Sequence, residues 1–267
     1  MAIFPGSAIP SAVSVYEIDN SLRFNPGDSP VLNRTGTSAD GKTFTFSVWI
    51  KRGNISLADT NSTYYCSNID AAEQNFRFGF GSGDNLFARW TASGASAYSI
   101  VSTAVFRDPS AWYHIVWAID TTQAVAGNRI KAYVNGSEIT AWDSITYPAL
   151  NQEVVPAASS PVLTVGMYRW LGTNYSPFDG EMAEFFYIDA AQLTPSSFGE
   201  TSSTTNQWIP IDAKDDLTFG TNGFYLKFQD SAALGDDSSG NTNDFTSSGL
   251  VATDQMIDTP TNNFATL

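Results

Sequence analysis

Hydrophobic and polar positions alternate with a period of two along most of this chain, and no window keeps a 3.6-residue apolar repeat for three turns. The clearest stretch is 112–120, WYHIVWAID. There Tyr113, Ile115, Trp117 and Ile119 fall on one face of an extended chain and Trp112, His114, Val116 and Ala118 on the other. Both faces are mostly apolar, which predicts a central strand covered on both sides. In 130–134 Ile130, Ala132 and Val134 alternate with Lys131 and Tyr133, and Asn135-Gly136 then supplies the two positive-φ residues of a tight type I′ hairpin.

Similar strand patterns stand at 21–25, 43–52, 64–68, 75–81, 86–91 and 98–106 before this pair, and at 162–167 and 180–188 after it. A spacing of about ten residues is that of an all-β sandwich or barrel. In 43–52, Phe44, Phe46, Val48 and Ile50 form an apolar face that is expected to meet the core. Residues 1–20, rich in Pro, Ser and Ala, read as an extended arm with a short strand at 14–18, and 190–198 carries the one helical turn. After the Ser/Thr run at 200–206, residues 201–267 hold one convincing strand, 223–229, and read as an extension packed on the main body or on a partner.

Hydrophobic residues at 42% and aromatics at 13% are enough to fill a substantial core. The 27 acidic against 13 basic side chains give a net charge of −14, which repels polyphosphate and anionic headgroups, so nucleic acid and membrane surfaces are not expected partners. A single cysteine, Cys66, excludes an internal disulfide, and the fold can form in a reducing cytoplasm. No apolar run approaches the roughly 20 residues of a membrane span, and the N-terminus lacks the basic start and continuous apolar core of a signal peptide.

Candidate chemistry is sparse. His114 is the single histidine, lies inside an apolar strand and has no G-x-S-x-G motif to serve, so it reads as a core or sheet-surface residue. Glu181 and Glu184 share a strand, but residues three apart in a regular strand point to opposite faces, whereas a retaining glycosidase needs its two carboxyls about 5 Å apart. The loop 236–244, DDSSGNTND, offers Asp236, Asp237 and Asp244 as hard oxygen ligands for Ca²⁺. The same residues build hydrogen-bonded turns without any metal, and no other cofactor is indicated. Tyr168, Trp170, Tyr175 and Phe178 cluster with Gly172, Asn174 and Ser176, and flat aromatic faces flanked by amides suit sugar rings. Burial of these rings against the extension or a neighbouring subunit suits them equally well.

SLRFN at 21–25, FTFSVWIKR at 44–52, AWYHIVWAID at 111–120, IKAYVNG at 130–136 and FDGEMAEFFYIDAAQLTP at 178–195 resemble, in order, the strands of laminin-G-like domains of the concanavalin-A-like jelly-roll class. NPGDSPVLNRT (25–35), DPSAWYHIV (108–116), LTPSSFGET (193–201), GTNGFYLKFQD (220–230), DSSGNTNDF (237–245) and DTPTNNF (258–264) further resemble a variant found in virion proteins of tailed bacteriophages. The resemblance implies an all-β, concanavalin-A-like jelly-roll sandwich of two antiparallel sheets over 21–200, with an N-terminal arm at 1–20 and a C-terminal extension at 201–267. It transfers no functional residue.

The function it implies is that of a non-enzymatic structural protein on the virion surface, a head decoration or a fibre component, with adhesion to carbohydrate. Such a protein folds in the host cytoplasm and takes other virion proteins, copies of itself or cell-surface glycan as partners. Relatives of that variant continue past 258–264 whereas this chain stops at Leu267, which favours a compact accessory protein over a long fibre. The alternatives are a receptor-binding, glycan-recognising module of a tail fibre and a glycan-cleaving enzyme.

Overall fold

The computed structural model describes residues 16–36, 41–55, 63–69, 75–91, 98–154, 162–170 and 173–262. In chain order the strands are β1 Ser21–Phe24, β2 Val31–Thr35, β3 Thr43–Arg52, β4 Thr63–Ile69, β5 Asn75–Phe80, β6 Asn85–Thr91, β7 Tyr98–Val105, β8 Trp112–Asp120, β9 Ile130–Val134 and β10 Ser137–Glu138. They continue as β11 Trp142–Ile145, β12 Val162–Val165, β13 Tyr168–Trp170, β14 Thr173–Tyr175, β15 Gly180–Asp189, β16 Gly199–Thr201, β17 Trp208–Pro210, β18 Phe224–Leu226, β19 Thr246–Ser248 and β20 Gln255–Met256. The sandwich predicted from the alternation is present: two large antiparallel sheets, ordered β10-β9-β8-β3-β15-β1-β20 and β11-β7-β6-β5-β4-β12-β2-β19, with β18 added to β15 in the first.

The inward side chains of both sheets form one core. Phe44, Phe46, Val48 and Ile50 of β3 and Ile115, Trp117 and Ile119 of β8 meet Phe76, Phe78 and Phe80 of β5 and Ala88 and Trp90 of β6. Aromatic rings dominate it: Phe46 packs edge-on against Phe78 at 5.3 Å, and Phe78 stacks on Trp117 at 5.1 Å. Trp117 donates its indole N–H to Tyr65 Oη across the sandwich at 2.7 Å, so its one polar atom is satisfied in the interior.

Strand β8 is apolar on both faces because both are covered. Its outward Val116 and Ala118 pack with Phe186, Ile188, Phe198, Ala213 and Phe219, contributed by β15 and by the chain that follows it. That later chain also supplies strands β18 and β20 to the first sheet and β19 to the second. The expected helical turn at 190–198 is a single 3₁₀ turn, Pro195–Ser197. Residues 16–20 form no strand, and 14–15 lie outside the described residues.

The Asn135-Gly136 hairpin forms as read, with φ of 48° and 79°. Asn135 Oδ1 also accepts a hydrogen bond from the backbone N–H of His114 at 2.8 Å. Asn135→Ala removes that bond and puts alanine in a left-handed conformation that asparagine tolerates better, so a stability loss of about 1–2 kcal/mol is expected in urea unfolding. A loss under about 0.3 kcal/mol would refute the assigned role of this side chain.

Candidate functional site

The first sheet is closed on its outer side; on the outer side of the second Ser67, Asn75, Phe87 and Thr164 are buried, while Arg77, Arg89, Thr91 and Ser99 are partly exposed. Because Phe76 and Phe78 of β5 and Ala88 and Trp90 of β6 point inward, Asn75, Arg77, Arg89 and Thr91 point outward. Register aligns one residue from each of six strands into a single polar row: Asn33, Thr164, Ser67, Arg77, Arg89 and Ser99.

Hydrogen bonds fix this row. Ser67 Oγ and Thr164 Oγ1 lie 2.6 Å apart, and Thr164 Oγ1 donates to the Met167 carbonyl at 2.9 Å. Arg77 Nη1 donates to Asn75 Oδ1 at 3.1 Å, and Asn75 Nδ2 donates to Thr91 Oγ1 at 2.5 Å. Both arginines rest on rings: the Arg77 guanidinium lies 4.7 Å from the Tyr168 ring centre, and that of Arg89 4.3 Å from the Phe87 ring centre. Asn33 Oδ1 is buried without a hydrogen-bond partner among the described residues.

The segment read as an aromatic loop is a hairpin, β13–β14, in which Tyr168 stands opposite Tyr175 and Trp170 opposite Thr173. It follows β12 directly and brings Tyr168, half-buried, onto the polar row. The side chains of Trp170 and Tyr175 lie outside the described residues. Phe178, grouped with them in the sequence, belongs instead to the core: it is fully buried and packs edge-on against Phe24 at 6.1 Å.

The two glutamates correct the sequence argument. Strand β15 carries a bulge: Ala183 pairs with Trp49 and Phe186 with Ser47, so three steps on β15 match two on β3. The extra residue is Glu184, left-handed at φ 51°. Met182 and Phe185 face the core while Ala183 and Phe186 face outward, so the bulge resets the alternation and Glu181 and Glu184 fall on the same outer side of the sheet. They nevertheless occupy separate surroundings. Glu184 is buried and accepts hydrogen bonds from Tyr225 Oη at 2.6 Å and from Tyr16 Oη at 3.0 Å. Glu181 lines a cleft of about 300 Å³ with Arg23, Asn25 and Asp179. Burial pushes both glutamates up to about 7.

His114 is a core histidine. Trp208 Nε1 donates to its Nδ1 at 2.9 Å, so Nε2 carries the proton and faces Ser47 Oγ at 2.8 Å. Burial lowers its pKa to about 3. In the 236–244 loop the Asp237 carboxylate accepts from the backbone N–H groups of Tyr225, Ser239 and Asn243 and from Ser239 Oγ, all at 2.8–2.9 Å. Asp244 Oδ1 accepts from the Asp237 N–H at 2.9 Å, and Asp236 is exposed. These oxygens build the turn itself. Among the described residues no three His, Cys, Asp or Glu side chains are grouped as a metal ion would need.

The sequence pattern of the Laminin_G_3 family, described as the concanavalin A-like lectin/glucanases superfamily, matches residues 26–191. The chain belongs to this family. No curated protein sequence matches the chain. Among solved structures it is similar to a carbohydrate-binding protein, so described as putative, from Bacteroides ovatus ATCC 8483, at 15% identity and a TM-score of 0.50, over 88% of this chain and 61% of that one. It is also similar to a heptameric SAP-like pentraxin from Limulus polyphemus, at 16% identity and a TM-score of 0.48, over 67% of this chain and 80% of that one. At these identities the likeness is one of fold. The family match stops at 191, so β16 to β20 lie outside the matched region.

Proposed function

We propose that this is a non-enzymatic, glycan-binding protein of a bacteriophage particle surface, with the polar row on the second sheet and the Tyr168 ring as its sugar-contact face. The observation that carries the glycan reading is the juxtaposition of the half-buried Tyr168 ring with the partly exposed guanidinium and hydroxyl groups of Arg77, Arg89, Thr91 and Ser99, the pairing that holds a sugar's apolar face and its hydroxyls together. The description of the Bacteroides ovatus protein as carbohydrate-binding supports the same reading. Cleavage has less support, because Glu184 is occupied by two tyrosines and sits apart from the cleft lined by Glu181.

The particle assignment rests on the phage-like stretches, and it makes residues 1–20 and 201–267 the arm and extension that meet other virion proteins or copies of this chain. Three of those stretches adopt defined turns and strands on the sandwich: 220–230 forms β18, 237–245 forms the Asp237-centred turn, and 258–264 begins with a bridge between Thr259 and Asn262. The protein folds in the host cytoplasm and is displayed on the assembled particle. Mass spectrometry of purified particles that lacked this chain would overturn that part.

A glycan array tests the face. Tyr168→Ala is expected to weaken binding to any array hit roughly tenfold, while Tyr168→Phe retains it and both variants melt within a few degrees of the parent. Unchanged binding by Tyr168→Ala would remove the face from the argument.

A further inference from the structure

Glu184, Tyr225 and Tyr16 place their oxygens in a closed triangle. Tyr225 Oη lies 2.6 Å from each carboxyl oxygen of Glu184, Tyr16 Oη lies 3.0 Å from Glu184 Oε2, and the two phenol oxygens lie 3.1 Å apart. Every side is at hydrogen-bond length and needs a hydrogen of its own. The phenols bring two, so the third has to come from the carboxyl. With Glu184 protonated, each of the three groups donates to the next and the ring closes. With Glu184 ionised, both phenols turn to the carboxylate, and the side between them is left as two facing oxygens.

The two phenols are not held alike. Tyr225 sits in β18, paired with β15, and its ring stacks on Phe186 at 4.2 Å. Tyr16 belongs to residues 16–20, which form no strand. Among the described residues, that segment's hydrogen bonds are those of Tyr16 in the triangle and two at Ile18, where Thr261 Oγ1 accepts from the backbone N–H and donates to the carbonyl. Its one buried side chain is Ile18, packed with Trp49, Trp112 and Ala183. Tyr16 and Tyr225 also line a pocket of about 320 Å³ with Lys227 and Asp212, whereas Glu184 is buried.

We infer that Glu184 is the catch of a proton-operated strap: protonated, it closes the ring and holds residues 16–20 on the first sheet; ionised, it favours release of Tyr16, which admits water to the carboxylate. The charged and titratable groups facing Glu184 are Tyr225 and Lys227 from β18 and the residue after it, Tyr16 from the strap, and Asp212 from the chain after β17. Burial outweighs the tyrosine hydrogen bonds and the charge of Lys227 and raises the carboxyl to about 7, and Asp212 adds to the rise. Returned to water it titrates near 4.5. The proton's contribution to holding the strap is therefore complete below about pH 4.5 and is lost as pH rises through about 7. The inference uses no residue of the second sheet and stands apart from the glycan and particle readings.

Amide hydrogen exchange on the intact protein tests it, with the Ile18 N–H reporting on the strap and the Trp117 N–H, in β8, on global opening. After correction for intrinsic rates, Ile18 is expected to exchange about a hundredfold or more faster than Trp117, with little response to 1 M urea because opening exposes little surface. Its protection should fall roughly tenfold or more from pH 5.5 to pH 8. In Glu184→Gln the side-chain amide can close the ring at any pH, and Ile18 protection should change less than about twofold over that range. In Tyr16→Ala it should be low at both pH values. Ile18 protection that ignores pH in the native protein, or a native-like fall in Glu184→Gln, overturns the inference. So does an Ile18 amide that exchanges only with Trp117 and as steeply in urea, since the segment then opens only when the whole fold does.

Discussion

Asp84→Ala is expected to destabilise the protein by about 3–5 kcal/mol, because it strands a buried cation. Asp84 lies in the β5–β6 turn of the second sheet and Arg52 at the end of β3 in the first, and both are almost wholly buried. Arg52 Nη2 donates to Asp84 Oδ1 at 3.0 Å, Arg107 Nε donates to Oδ2 at 2.8 Å, and Arg52 Nη1 donates to the Phe106 carbonyl. The guanidinium also lies 4.5 Å from the Phe80 ring centre, so the pair fastens the two sheets at one end of the sandwich. Burial already lowers the Arg52 pKa, and the Asp84 carboxylate is the chief group that restores it. Removing that carboxylate leaves the charge with a carbonyl and a ring in the interior. Asp84 also sits at φ 65°, where alanine is strained and asparagine is tolerated. Asp84→Asn therefore separates the causes, and most of the loss should remain with it. Arg52→Met added to Asp84→Asn should recover about 2 kcal/mol or more, the coupling expected of contacting residues. Urea unfolding of the four proteins measures this, and a single-variant loss under about 1 kcal/mol, or strictly additive losses, would show that the ion pair does not fasten the sheets.

The parts of this molecule legible in its sequence are those where one strand's own alternation decides its environment. Strand β8 and the inward face of β3 read correctly because every second side chain is large and apolar, and Asn135-Gly136 because few other dipeptides accept two left-handed residues. Strands β2, β11, β13, β14, β16, β17, β19 and β20 were not legible. They run two to five residues, and their extended state is imposed by a partner strand rather than by their own pattern. The bulge at Glu184 was hidden for a different reason: the left-handed position holds a glutamate, where glycine would have marked it.

The arginine row could have been found. In NFRFGF and NLFARWT a lone arginine stands at an outward position between inward apolar residues, and the tight turn at 81–84 fixes the register that sets the two side by side. The aspartates of the 236–244 loop illustrate the opposite limit, since composition alone cannot distinguish a carboxylate aimed at a ligand from one consumed by its own turn.

Glu184→Gln is expected to remove most of a pH dependence that the native protein carries between pH 5 and 8. The bulge exists because two strands share one edge of β15: β1 pairs with Gly180 to Met182 and β18 with Phe185 to Tyr187. Glu184 falls at the junction, where its carboxyl reaches Tyr225 on β18 and Tyr16 just ahead of β1. The carboxyl stands at about 7 in place of 4.5: burial is the largest influence and raises it, the hydrogen bonds from Tyr225 and Tyr16 and the charge of Lys227 oppose that, and the nearby Asp212 adds to it. Between those two values the folded protein holds a proton that the unfolded chain has released. The resulting stabilisation is therefore complete below about pH 4.5 and is lost as pH rises through about 7. A shift of that size corresponds to on the order of 3 kcal/mol. Glu181 adds a contribution of the same sign, reduced by its greater exposure to water. Glutamine keeps the length and the hydrogen-bonding carbonyl of Glu184 but cannot ionise. The variant should match the native protein near pH 5 and exceed its stability by about 2–3 kcal/mol near pH 8. Urea unfolding at both pH values decides it. Equal slopes against pH for the two proteins would mean that Glu184 stays ionised throughout, held by its tyrosines more strongly than burial opposes it.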